Sequence, residues 1–226
     1  MELTGRVLFV QHQDDCPPGY VGERLEQRGA RVEVVRAQDA RLPDPREFEL
    51  IVPLGSDDSA YDESVPYLRR EWELLDGAVT AGVPVFGICF GAQLLSRVLG
   101  GQVYRAPDGP EIGWLTVHTT DPEFVEPGPW LVWHLDVMGT PPGGVEIAST
   151  AVGTQAFVHG QHVGTQFHPE ATPASAEVWA RHYHDALGEV GVDHDGLLAE
   201  TRALRDDARR RAHTLTDRVL ARRAGR

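Results

Sequence analysis

Lysine is absent from this sequence: all 21 basic residues are arginine, a bias that fits a GC-rich genome better than any function. Cysteine is nearly absent too, with Cys16 and Cys89 alone. That excludes a disulfide framework and suits a reducing compartment. No apolar run approaches the length that crosses a bilayer. The opening Met1-Glu2-Leu3-Thr4-Gly5 lacks the basic-then-apolar order of a secretory signal, so a cytoplasmic protein with no membrane partner is expected. Positive charge is short as well. The formal net charge of −13 argues against nucleic acid as a partner, because phosphate binding needs a basic face. No Gly-x-x-x-x-Gly-Lys loop is present, so no ATP site and no other cofactor is expected. His159, His162, His182 and His184 lack metal-ligand spacing to nearby Cys or carboxylates, so no metal site is expected either.

What is present describes an ordinary globular domain. Its 226 residues are 41% hydrophobic and 24% charged, enough for one well-buried core and too short for two comfortable catalytic domains. The first half alternates strand and helix signals. Strands are expected at Arg6–Val10, Arg31–Val35, Glu49–Leu54 and Val83–Ile88. Helices are expected at Tyr20–Arg28, ended by Gly29, and at Pro66–Ala81, with an apolar stripe of Leu68, Trp72, Leu75, Ala78 and Val79. This order predicts an α/β fold, an open and mostly parallel sheet with helices on both faces. Reactive residues in such folds gather at the carboxyl ends of strands.

From Gly101 the pattern changes to short strands at Gln102–Tyr104, Ile112–Val117, Leu131–Trp133, Val145–Ser149, Gln155–Val158 and His162–Phe167. A small antiparallel section is expected there, with a hairpin turn across Val158–His162. A helix over Ala174–Leu187 closes the body, and Gly188–Asp195 reads as a linker, with Asp195 as an N-cap. The spacing of Leu197, Leu204, Ala208, Leu215 and Val219 predicts a last helix. The division expected is a catalytic domain over 1–192 and a helical extension over 193–226. Residues 201–226 hold nine Arg against three Asp, so this tail should lie against the acidic body or a neighbouring subunit, and a homo-oligomer is a possible outcome.

The chemistry concentrates in two segments. An apolar run through Val85, Phe86 and Ile88 enters Gly87-Ile88-Cys89-Phe90-Gly91, then opens an amphipathic stretch through Leu94, Leu95, Val98 and Leu99. A buried strand turning into a helix through Gly-x-Cys-x-Gly has the form of a nucleophile elbow with cysteine in the place of serine. The flanking glycines suit a strained turn whose backbone must pass close to the raised side chain. The first helical turn favours a thiolate there. Downstream, Gln166-Phe167-His168-Pro169-Glu170 supplies a candidate base, His168, and a carboxylate, Glu170, to orient it. Cys16, in an acidic Pro- and Gly-rich loop, reads as incidental.

These residues resemble the class I (triad-type) glutamine amidotransferases, including the glutaminase half of GMP synthetase. The resemblance rests on five segments in order: Leu54-Gly55-Ser56, Gly87–Gln93, Glu111-Ile112-Gly113-Trp114, Trp133-His134-Leu135-Asp136 and Gln166–Glu170. It covers about Arg6 to Glu170 and is nearer to the stand-alone members. It implies a flavodoxin-like fold and a triad of Cys89, His168 and Glu170 that hydrolyses the γ-amide of glutamine through a γ-glutamyl thioester. It further implies an oxyanion hole from the backbone N–H groups of Ser56 and Phe90. Gly55, Gln93, His134 and Leu135 would border the substrate, with the Trp133–Asp136 backbone meeting its α-groups.

Two departures bear on substrate. Gly55-Ser56-Asp57 stands where the family commonly has Gly-Gly-Pro, and His134-Leu135-Asp136 where it has His-Gly-Asp. Leu135 either turns to the core or reshapes the pocket. The expected function is glutamine hydrolysis, with ammonia released or passed to a separate synthetase. The alternatives are a γ-glutamyl peptidase or γ-glutamyl-amide hydrolase and, from another class, a catalytically idle binding subunit.

Overall fold

The computed structural model describes residues 5–107 and 109–224. Strand β1 (Arg6–Gln11) lies between β2 (Arg31–Arg36) and β3 (Leu50–Pro53), all parallel, with Val7 opposite both Val32 and Leu50. A parallel bridge from Ile51 to Val85 carries the sheet to β4 (Phe86–Ile88). Three helices accompany these strands: α1 (Gly19–Gln27), α2 (Leu68–Ala81) and α3 (Phe90–Val98).

The second half completes the same sheet and adds two ribbons. Strand β5 (Val103–Arg105) pairs with β9 (Asp136–Met138), and β6 (Glu111–Leu115) pairs with β8 (Trp130–His134), both antiparallel. Strands β7 (His118–Thr119), β10 (Val145–Ser149), β11 (Thr154–His159) and β12 (His162–Thr165) follow one another across the sheet, and β12 docks parallel against β4. The expected hairpin is β11–β12, with His159 opposite His162 and Gly160 at φ 57° in the two-residue turn.

Side-chain alternation explains the layering. Val7, Phe9, Leu50 and Val52 join one cluster with Val21 and Leu25 of α1, whereas Leu8, Val10 and Ile51 join another with Leu74 and Leu75 of α2 and Leu94 and Leu95 of α3. Burying each such side chain contributes about 1.5–3 kcal/mol relative to exposure. Helices therefore cover both faces of a mostly parallel sheet, the architecture expected from the alternating half.

The C-terminal half of the helical pattern differs in detail. The helix expected over Ala174–Leu187 is two: α4 (Pro173–His182), capped by Thr172, and α5 (His184–Glu189). Tyr183 breaks it, because its ring is drawn to Trp133, 6.0 Å between centroids, and its hydroxyl to Asp57. The last helix, α6 (His194–Ala224), is 31 residues, about 46 Å at 1.5 Å per residue. Its cap is Asp193, not Asp195: Asp193 Oδ2 accepts from Gly196 N at 2.8 Å, the usual N-cap geometry. Leu215, Val219 and Leu220 of α6 complete the cluster under α1. Asp217 receives Arg24 and Arg28 at 2.6 and 2.5 Å, and Arg210 reaches Glu126 at 3.0 Å. No described helix is long and apolar enough to cross a membrane.

Helix α2 is also rotated relative to its expected stripe. Glu71 is fully buried and Trp72 only partly so. The helix starts at Leu68 rather than Pro66 and ends at Gly82, whose φ of 69° closes it.

Candidate active site

Four parallel strands bring their carboxyl ends to one place. His12 follows β1, Gly55 follows β3, Cys89 follows β4, and Gln166 and His168 follow β12. Cys89 occupies the single step between strand β4 and helix α3, at φ 50° and ψ −112°. It is the only non-glycine residue with positive φ among the described residues. Such a conformation costs about 1–3 kcal/mol and persists only where its surroundings enforce it. Here they do. Cys89 N donates to Thr165 O at 2.7 Å, and Gly91 N donates to Leu54 O at 3.1 Å. A Cβ on Gly91 would lie 2.1 Å from Pro53 O, and one on Gly87 would lie 2.6 Å from Gly91 O, so no side chain fits at either position.

His168 is fixed by its backbone N–H on Leu131 O at 2.9 Å. Its Nδ1 lies 2.7 Å from Glu170 Oε1, and its Nε2 lies 3.4 Å from the Trp133 carbonyl oxygen. The same carbonyl is 3.7 Å from Cys89 Sγ, and Gln166 Nε2 is 3.6 Å from that sulfur. Both ring nitrogens face acceptors, an arrangement suited to a protonated imidazole. Burial is the largest single influence on His168 and opposes its charge; the Glu170 carboxylate and Cys89 together outweigh it and raise the imidazole well above its usual range. A thiol beside an imidazole that is oriented by a buried carboxylate can ionise, attack an electrophilic carbon and return the proton to a leaving group.

The loop after β3 forms the opposite wall. A Cβ on Gly55 would stand 3.2 Å from His168 Cε1, 3.6 Å from Cys16 Sγ and 3.8 Å from Cys89 Cβ. Ser56 follows, its Oγ 2.7 Å from Tyr67 Oη. Phe90 begins α3, so its N–H is among those with no partner inside the helix. Asp57 accepts from the Tyr183 hydroxyl, and burial followed by that contact raises the tyrosine above its ordinary value.

The remaining expected residues lie along the same cavity, which encloses about 230 Å³. Gln93 is buried, and its amide donates to Asp136 O at 3.2 Å and Gln166 Oε1 at 3.3 Å. His134 Nε2 lies 3.1 Å from Glu111 Oε2, an oxygen that also accepts from Gln155 and Thr150. Leu135 alone separates β8 from β9; it is 41% exposed on the cavity rim and is not part of the core. The Asp136 carboxylate accepts from Ser59 Oγ at 2.5 Å, with Arg105 at 3.8 Å. Among the described residues, no group of three or more His, Cys, Asp or Glu side chains is gathered as for a metal ion.

Several site residues went unread in the sequence. Cys16, which its loop context marks as incidental, is buried on the cavity wall, and burial pushes its thiol well above the usual value. Trp179 and Tyr183 line the cavity from α4 and its break, with the Trp179 ring 4.8 Å from that of His168. His12 and Glu71 form a buried pair behind Gly55. Only Gln166 carried a signal, standing two residues before His168 in a segment already singled out.

The family model described as glutamine amidotransferase class-I matches residues 20–183. The glutamine amidotransferase-like protein YfeJ of Salmonella typhimurium is 32% identical over 215 residues, which cover 88% of this chain and 90% of that protein. The glutamine-hydrolysing GMP synthase of Synechococcus is 37% identical over 131 residues, covering 53% of this chain but only 23% of that protein. Among solved structures, a glutamine amidotransferase from Thermotoga maritima superposes with a TM-score of 0.85 at 27% identity, covering 97% of this chain and 99% of that one.

Proposed function

Since this chain belongs to the class-I glutamine amidotransferase family, we propose that it hydrolyses the γ-amide of glutamine through a γ-glutamyl thioester on Cys89. The observation that carries this is the strained elbow that presents Cys89 beside the His168–Glu170 pair. The Cys89 thiol gives its proton to His168 as Sγ attacks the γ-carbonyl carbon, and the carbonyl oxygen takes up the developing negative charge. The backbone N–H groups of Ser56 and Phe90 stabilise that charge, each worth about 2.7–4 kcal/mol in comparable sites. His168 gives its proton to the departing ammonia as the C–N bond breaks. It then takes a proton from water as the water attacks the thioester, and passes that proton to the departing sulfur, releasing glutamate and the free thiol. Glu170 holds the imidazole in orientation and stabilises its charged form.

The ammonia is released or accepted by a separate synthetase. A second reading replaces glutamine with a bulkier γ-glutamyl amide. It is favoured by the apolar wall of Ile112, Trp133 and Trp179 and by Leu135 at the rim. Purified protein assayed for glutamate release from glutamine and from γ-glutamyl amides tests the pair of readings. Cys89→Ala should abolish turnover and keep the wild-type Tm. Substantial residual turnover in that variant would rule the mechanism out.

A further inference from the structure

Behind the Gly55–Ser56 peptide, His12 and Glu71 make a second histidine–carboxylate pair that the mechanism above does not use. His12 Nδ1 lies 2.9 Å from Gly55 O, and His12 Nε2 lies 2.8 Å from Glu71 Oε2. Both side chains are wholly shielded from solvent. A carbonyl oxygen can only accept, so Nδ1 carries a proton whichever way the proton between Nε2 and Oε2 is placed. The imidazole is therefore a fixed donor to Gly55 O. Its ring is wedged against Phe90, 4.7 Å between centroids, and Tyr67, at 5.2 Å, so it has no room to swing away.

The Gly55 carbonyl and the Ser56 N–H belong to one planar trans peptide, in which the two groups point in opposite directions. Holding the oxygen toward His12 turns the N–H away from His12, to the other side of the loop. Tyr67, which packs on His12, holds the Ser56 side chain as well. We infer that His12, braced by Glu71, is a positioning residue that locks the Gly55–Ser56 peptide with its N–H in the orientation that receives the substrate's oxyanion. The same ring buttresses Phe90, so it supports both expected donors. This rests on the hydrolytic reading above. It accounts for a carboxyl side chain on the buried face of α2, where Glu71 would otherwise be an unexplained cost.

The test compares three substitutions by two readouts. His12→Asn keeps an amide donor near the place of Nδ1, His12→Gln directs its amide toward Glu71 instead, and His12→Phe has no donor. The first readout is kcat and KM for the amide. The second is the rate at which iodoacetamide alkylates Cys89, followed by peptide mass, a displacement that builds no oxyanion. The lock requires His12→Gln and His12→Phe to lose kcat by about 10²–10³-fold, with KM and alkylation rate close to wild type, and His12→Asn to retain most of the turnover. Wild-type kcat in His12→Gln overturns it. So does a loss of kcat matched by slower alkylation and a lower Tm, the signature of a merely structural pair. Should His12→Phe not fold, the Asn and Gln variants give the same comparison. A wild-type protein that turns over no γ-glutamyl amide overturns the hydrolytic reading itself, and the lock with it; that result is read before any variant is made.

Discussion

Nδ1 of His168 stands 2.7 Å from Oε1 of Glu170, with neither side chain more than 4% exposed. Burial opposes charge on that imidazole, but the carboxylate and Cys89 overcome it and raise its pKa well above the ordinary value. Glu170→Gln removes the negative charge and leaves an amide in its place. Turnover should fall by about 10²-fold less than with His168→Ala, as when a third group only orients the base. The sign of the pH effect on stability follows from linkage. A folded-state pKa raised above the unfolded value of about 6.5 contributes stability that is complete below that pH and is lost as pH rises through the folded value. In Glu170→Gln the folded value drops. The Tm gap between the two proteins should therefore widen as pH is lowered toward about 6.5 and narrow as it is raised. A constant gap over that range would contradict the role given to Glu170.

Gly91 gives a prediction about stability that does not depend on chemistry. A Cβ there would stand 2.1 Å from the Pro53 carbonyl oxygen, a backbone atom held inside the sheet and unable to withdraw. Gly91→Ala must push α3 away from β3 or break the elbow. A loss of about 3 kcal/mol or more is expected from strain of this kind, a fall in Tm of roughly 6–12 °C for a chain of this size. A melting curve within a degree or two of wild type would show that the strand–helix contact yields more easily than its geometry implies.

The parts of this molecule that were legible in the sequence are those where one residue type has one physical use. Gly87, Cys89 and Gly91 could be read together because a strained turn with no room for a Cβ leaves glycine alone at both flanks. The strands up to β4 and the presence of α1 and α2 follow from alternation and helical spacing, but the start and buried face of α2 do not. What escaped is set by partners distant in the chain. Glu71 looks solvent-facing until His12, 59 residues away, is known to pair with it. Tyr183 breaks a helix that its neighbours favour because Trp133 and Asp57 lie across the cavity. Cys16 does lie in a loop, and nothing local says that this loop folds over Gly55 and buries the thiol. Asp193 and Asp195 flank His194 with equal capping chemistry, and only the path of the chain selects the first.

Leu135 bears on whether free glutamine or a larger amide is the substrate. Its neighbours His134 and Asp136 are buried, yet Leu135 is 41% exposed on the rim of the cavity. Its carbonyl accepts from Ala106 N at 3.0 Å, so the main chain is held on both sides of it. Leu135→Gly thus removes an isobutyl group from the rim without opening a hole in the core. The stability cost should be confined to the added backbone freedom of glycine, about 0.5–1 kcal/mol. If the side chain meets substrate, the ratio of kcat/KM for glutamine to that for a γ-glutamyl anilide should rise by a factor corresponding to about 1–3 kcal/mol, the scale of small changes in an apolar pocket. Measuring both substrates and the Tm of this single variant separates the cases. An unchanged ratio with the small Tm loss would mean that Leu135 borders solvent and not substrate, and would leave ordinary glutamine hydrolysis as the better reading of the site.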